Sequence, residues 1–143
     1  MKMPQATFYA KGTGVEISPF EKHGEGRPTE GRVVLRFFRL EGGSAAIRFI
    51  AEPAEAFDLH LKITHTFREG GRESLIHRFE GPEGEVLTRL MVERYGDAAR
   101  PGYALAVQRG EEKVNVPMNA ERFLFAAEFL RHLSLTQAWV ESA

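Results

Sequence analysis

The sequence predicts an α+β fold, a tandem ββββα-ββββα repeat of antiparallel sheets with helices packed on one side. Three observations predict it. Runs of apolar and polar alternation recur between glycine turns in both halves. Each half closes on a stretch with helical periodicity. The order of elements in residues 6–70 returns in residues 74–133, an offset of roughly 70 residues.

Residues 6–12 read as a short strand ending in a glycine turn, and residues 75–81 match them. Residues 15–22, followed by Gly24, are strand-like and correspond to residues 86–94, followed by Gly96. Each glycine opens a polar loop with an Arg-Pro pair before a closing glycine: Arg27-Pro28 to Gly31, and Arg100-Pro101-Gly102. The third strands are residues 33–39 and 103–109. Turns at Glu41-Gly42-Gly43 and Gly110-Glu111-Glu112 have hairpin lengths. They lead to fourth strands at residues 45–50 and 113–116.

The first helix has Glu52 as a cap and Pro53 at the favoured first position. Ala56, Phe57, Leu59, Leu61, Ile63 and Phe67 form its broad apolar face, and Gly70-Gly71 stops it. Asn119 is a good N-cap for the second. There Phe123, Ala126, Ala127, Leu130 and Leu133 recur at helical spacing, widened by Leu124, Phe125 and Phe129. Residues 1–143 thus read as a single domain of two repeats with a C-terminal tail over 134–143. Packing of Trp139 against its own domain is favoured over docking on a partner.

The composition, 43% hydrophobic and 27% charged with 11 Phe, supports a sizeable core. The absence of cysteine excludes disulfides and thiolate metal sites and fits a reducing cytoplasm. Residues Met1 to Gln5 carry no apolar signal region behind them, and no apolar run approaches the ~20 residues that span a bilayer. A cytoplasmic location without membrane association is the expectation. Arg outnumbers Lys and Glu outnumbers Asp, a weak pointer to a thermophilic source. The net charge of -1 removes the simplest argument for nucleic acid, although local patches still attract phosphate.

Alternation assigns the faces. Val33, Leu35 and Phe37 point inward, as do Tyr103, Leu105 and Val107, with Ile47, Phe49, Val114 and Val116. Outward stand Val34, Arg36 and Phe38 in one half, and Ala104, Ala106 and Gln108 in the other. Arg48 and Ile50, and Lys113 and Asn115, also point out. Arginines neutralise phosphates while Phe and Tyr stack on unpaired bases. The candidate nucleic-acid contacts are Tyr9, Lys11, Arg36, Phe38, Arg48, Arg78, Arg89 and Lys113. The competing reading is that these cations solvate a sticky sheet. Because Arg and Phe in the first repeat stand where the second has Ala and Gln, a binding surface weighted toward the first repeat is expected.

Catalysis finds little support. His60 and His65 are off the i, i+4 spacing of a metal pair, and no histidine has carboxylate or cysteine neighbours at ligand spacing. Glu21 and Glu93 fall at matching repeat positions, but pairing of each with a nearby cation outweighs a two-carboxylate site. No phosphate loop, nucleophile elbow or dinucleotide fingerprint occurs. No enzyme, cofactor or metal is expected.

Two ββββα units in one chain resemble the Whirly-like single-stranded-DNA-binding superfamily. The second half looks like the DNA-binding domain of the positive-cofactor coactivators. Its terminal strand Lys113-Val114-Asn115-Val116-Pro117 likewise leads into a capped helix. Duplicated units of this kind are also similar to Pur-alpha repeats. The Lys-Gly-Lys-Ala-Ala-Leu segment typical of plant Whirly proteins is absent. The resemblance implies helices between or below two sheets, homo-oligomers built through the helices, and single-stranded DNA or RNA on the exposed sheets. An archaeal or thermophile member is one form it takes. The alternative is a protein-interaction or assembly module that uses Val34, Phe38 and Ile50 as an interface.

Overall fold

A computed structural model describes residues 2–42 and 45–142; Met1, Gly43 and Ala143, which bear on the expected start, first turn and tail end, lie outside them. The elements are β1 (Ala6–Tyr9), β2 (Thr13–Gly24), β3 (Arg27–Arg39), β4 (Ile47–Ala51) and α1 (Pro53–Glu69). The second series is β5 (Gly71–Gly81), β6 (Gly84–Gly96), β7 (Pro101–Arg109), β8 (Glu112–Met118) and α2 (Ala120–Thr136), followed by β9 (Val140–Glu141). Each half forms one antiparallel sheet in sequence order, and β9 adds to β3. Among the described residues no helix is long and apolar enough to cross a membrane.

The α+β tandem ββββα arrangement is therefore present, with two differences from the expected bounds. The stretch after Gly24 is strand rather than loop: β2 and β3 stay paired out to Gly24 and Arg27. Only Glu25 and Gly26 turn, with Gly26 at φ 70°, the conformation a two-residue hairpin needs and glycine adopts without strain. In the second half a true loop remains, where the Asp97 carboxylate accepts from the backbone N–H groups of Ala99 and Arg100.

The other difference is in repeat register. Leu35 pairs with Phe49 as Leu105 pairs with Val116, so the third and fourth strands match as expected. The first two strands slip. Phe8 lies opposite Val15 while Leu75 lies opposite Leu90, which equates Val15 with Leu90 and not with Val86. The β5–β6 hairpin stays paired out to Gly81 and Gly84, whereas β7 pairs with β6 only from Thr88 onward. Aligning glycine turns misses this, because the second hairpin projects past its sheet. Glu21 and Glu93 lose their equivalence by the same slip.

Asn119 accepts a hydrogen bond from the Arg122 N–H and caps α2, and Glu52 and Glu55 close a reciprocal capping box on α1. The buried faces are Ala56, Leu59, Ile63 and Thr66 on α1, and Phe123, Ala126, Ala127, Leu130 and Leu133 on α2. Phe57 and Leu61, read from sequence as part of the apolar face, sit on its solvent margin, with Leu61 51% exposed.

The helices are exchanged between halves. Along α1, Glu55 accepts from His77 Nε2 (2.7 Å) and His65 Nδ1 meets Glu73 (2.8 Å), both on β5. Arg94 on β6 donates to the carbonyls of Phe67 and Arg68 at the C-terminus of α1, where cations complement the helix dipole. Conversely α2 runs along the first sheet: Phe125 meets Phe8 edge-on at 6.0 Å, and Arg122 reaches the carbonyl of Tyr9. Tyr103 is stacked between Phe67 of α1 and Phe123 of α2. The His60 ring donates from Nδ1 to the carbonyl of Ala127 (3.0 Å), the residue at its own position in the second repeat, so this contact marks the internal two-fold axis.

The tail packs back. The Gln137 amide donates to the carbonyls of Phe20 and Arg32, the Gly31 N–H bonds the Trp139 carbonyl, and Val140 pairs with Glu30. A Cβ on Gly31 would stand 2.0 Å from the Gln137 carbonyl oxygen and 2.8 Å from Trp139 Nε1. Gly31→Ala is therefore expected to cost about 1–3 kcal/mol in urea unfolding and to shift the emission of the single tryptophan to the red as the tail lifts. Unchanged stability and emission would contradict this packing.

Candidate nucleic-acid interface

With both helices on the inner faces, each sheet has an outer face that no helix covers, but Val34, Ala104 and Ala106, expected to stand outward, are buried there rather than exposed. On the first sheet the register aligns Tyr9, Gly14 and Phe38 in one rung, and Thr7, Glu16, Arg36 and Arg48 in the next. Alternation thus brings four of the eight candidates, Tyr9, Arg36, Phe38 and Arg48, onto one surface. Phe38 lies flat over Gly14, where a Cβ would meet its ring at 2.4 Å, and Tyr9 packs edge-on against it at 5.9 Å. The Arg36 guanidinium stands 4.8 Å from the Phe38 ring centre and 3.2 Å from the Glu16 carboxylate. Arg48 stands 5.0 Å from the centre of the Phe20 ring. Its backbone carbonyl accepts from Arg109.

Lys11 is exposed in the connection between β1 and β2, away from these rungs. The remaining three candidates occupy the second sheet. Ile76, Arg89, Gln108 and Lys113 share one rung across all four strands. Arg78, next along β5 on the same face, pairs with Glu85 at 3.1 Å. Arg89 and Lys113 are exposed and form no ion pair among the described residues. Arg39 donates to the Lys113 backbone carbonyl and leaves its ammonium free for solvent or ligand.

Two features of this surface escape sequence reasoning. Glu16 shares the face with Arg36 and neutralises it; the period-2 pattern of β2 carries that signal once the register is known. Phe20, which supports Arg48, lies in the outer half of β2, where the sequence pattern marks an end but no face. Histidines do not converge: His23 is beside Glu21 and Thr29, His60 bonds Ala127, and His65 and His77 each meet one glutamate. Among the described residues no cluster of three or more potential ligands could hold a metal ion.

No family model matches the chain, and no curated protein matches it. Two solved structures follow the same course. One is described as the structure of the plant transcriptional regulator PBF-2, with TM-score 0.62 and 17% identity, covering 96% of this chain and 83% of that one. The other is the crystal structure of WHY1 from Arabidopsis thaliana, with TM-score 0.60 and 16% identity, covering 96% and 86%. Nearly the whole chain, both sheets and both helices included, thus has a Whirly-like fold.

Proposed function

We propose that the protein binds single-stranded DNA or RNA on the outer sheet faces, as a non-enzymatic binding protein whose two repeats act as one domain. The observation that carries this reading is the grouping of cations with aromatic rings on open antiparallel surfaces. Arg36 with Phe38 and Tyr9, and Arg48 with Phe20, supply charge for phosphates beside rings that can stack on bases. Arg89 and Lys113, with Arg78 beside Glu85, extend the positive charge over the second sheet, and Lys11 lies at the β1–β2 connection of the first. The fold shared with a plant transcriptional regulator supports the same reading by analogy of architecture. Such binding needs no net positive charge on the chain, because only the charge near the strand within a Debye length counts.

Assembly through the helices is a compatible second property. Phe57 and Leu61 are one turn apart on α1, and Phe125 and Leu135 stay exposed on α2, with Phe125 at 55%. Apolar side chains of this size on the helical side favour burial against further copies of the chain.

Fluorescence anisotropy with a labelled oligothymidylate tests the binding reading. Affinity should fall steeply with salt, and replacing Arg36 and Arg48 together with Ala should weaken binding and reduce the salt slope by about 1–2. No binding at micromolar protein in low salt, or binding indifferent to salt, would sink the proposal. Glu16→Gln should tighten binding a few-fold by releasing Arg36, while changing unfolding free energy by less than about 1 kcal/mol, as expected for a partly exposed pair.

A further inference from the structure

A cavity of about 440 Å³ opens on the outer face of the second sheet, lined by Glu85, Val86, Leu87, Arg89, Gln108 and Gly110. Its volume falls within the ~300–1,000 Å³ range of small-molecule sites. The cross-strand rung described above runs through it, so the Gln108 amide stands between two cations. Arg89 and Lys113 flank it on the neighbouring strands, each one strand spacing of about 4.8 Å away. Gln108 Nε2 donates to the Gly110 carbonyl at a long 3.3 Å, which leaves its second N–H and its Oε1 free for a ligand. Leu87, 39% exposed, forms an apolar wall. The carboxylate of Glu85 is offset by Arg78 at 3.1 Å, so Arg89 supplies the charge on the cavity wall, with Lys113 beside Gln108 on the next strand, outside the lining.

A ligand suited to this site carries a flat apolar face, an edge with hydrogen-bonding groups, and negative charge on both sides. One nucleotide within a single strand has all three. We propose that this cavity holds a nucleobase of the bound strand: the Gln108 amide bonds the base edge, Leu87 covers the ring, and Arg89 and Lys113 hold the flanking phosphates. The proposal rests on the single-strand reading above and adds base selectivity to it. It also places that selectivity on the second repeat, against the expectation that the first would dominate. The first sheet is already filled by its own side chains. Phe38 occupies the space over Gly14, Glu16 holds Arg36, and Arg48 lies by Phe20.

The test uses the full chain and three labelled oligomers of equal length, of thymidylate, cytidylate and adenylate. Wild-type protein should separate the best from the worst by about tenfold, the effect of one or two well-made base contacts. Gln108→Leu, which keeps the size and removes the amide, should reduce that separation to within about twofold. Arg89→Ala should weaken all three alike and lower the salt slope by about one. Circular dichroism melting checks that both variants fold, and Gln108→Glu, which keeps the shape but adds charge beside the phosphates, provides an independent arm that should weaken every oligomer. If wild-type protein binds without base preference, or Gln108→Leu retains the wild-type preference, the cavity assignment is overturned while general binding stands. Absence of any wild-type binding overturns the single-strand reading and this one with it.

Discussion

Neither half of the chain buries its own core, and the rest of the architecture follows from that. A four-stranded sheet with one apolar face needs a cover, and the helix that ends each half lays its polar anchors along the other half. Glu55 and His65 of α1 bind β5, while Arg94 of β6 closes the C-terminus of α1. Phe125 and Arg122 of α2 contact β1. Tyr103, buried between Phe67 and Phe123, joins both helices to the second sheet in one aromatic stack, an arrangement worth about 0.5–1.5 kcal/mol per pair beyond the area buried. A lone ββββα unit would expose the faces that this exchange covers, and the two repeats contribute to one buried cluster. Both helices are thereby committed to the inner side, and both outer faces remain open.

The same pairing engages one edge of each sheet. In each sheet the fourth strand is an edge, and an edge with free carbonyls invites association with another strand. Arg39, the last residue of β3, donates to the Lys113 carbonyl on β8; Arg109, the last residue of β7, donates to the Arg48 carbonyl on β4. The two donors are equivalent residues, while the acceptors are offset, since Arg48 corresponds in register to Asn115, two residues beyond Lys113. Thr13 adds a bond to the Asn115 carbonyl at 2.7 Å, and β9 covers the part of β3 that β4 does not reach. A long strand of a partner therefore finds these edges already engaged. The opposite edges, β1 and β5, stay outside this arrangement.

Fold and inward faces were legible because their signals are local and periodic. Val33, Leu35, Phe37, Tyr103, Leu105 and Val107 are all buried as alternation requires, and Asn119 caps the helix it was expected to cap. What the sequence hid depends on long-range register. The projecting β5–β6 hairpin displaced the match between Val15 and its true counterpart Leu90, because glycine turns mark where chains reverse but not how far a ribbon extends. The exchange of helices was equally invisible: the apolar stripe of α1 says that it is covered, and nothing in it says by which sheet. The partnership of Glu16 with Arg36 needed the β2–β3 register, since the two residues are far apart in sequence and adjacent only in the sheet.

Inner and outer faces also obey different constraints, and this explains why the repeats agree in one respect and diverge in the other. Inward positions in both halves contribute to one core, and a change of volume there costs stability. Leu35 and Leu105 are identical, and Phe49 and Val116 remain apolar. Outward positions are less uniformly packed, although Val34, Ala104 and Ala106 among them are buried, and there Arg36 stands where Ala106 does, and Phe38 where Gln108 does. The divergence matters for a directional polymer. Two identical faces related by a two-fold axis would accept a strand equally in either sense, because rotation exchanges the faces and reverses the strand. With rings and one neutralised arginine on one face, and an amide between two unpaired cations on the other, the two senses of a strand crossing both faces are no longer equivalent. Asymmetry on a symmetric core is thus what a duplicated chain can give that two identical subunits cannot.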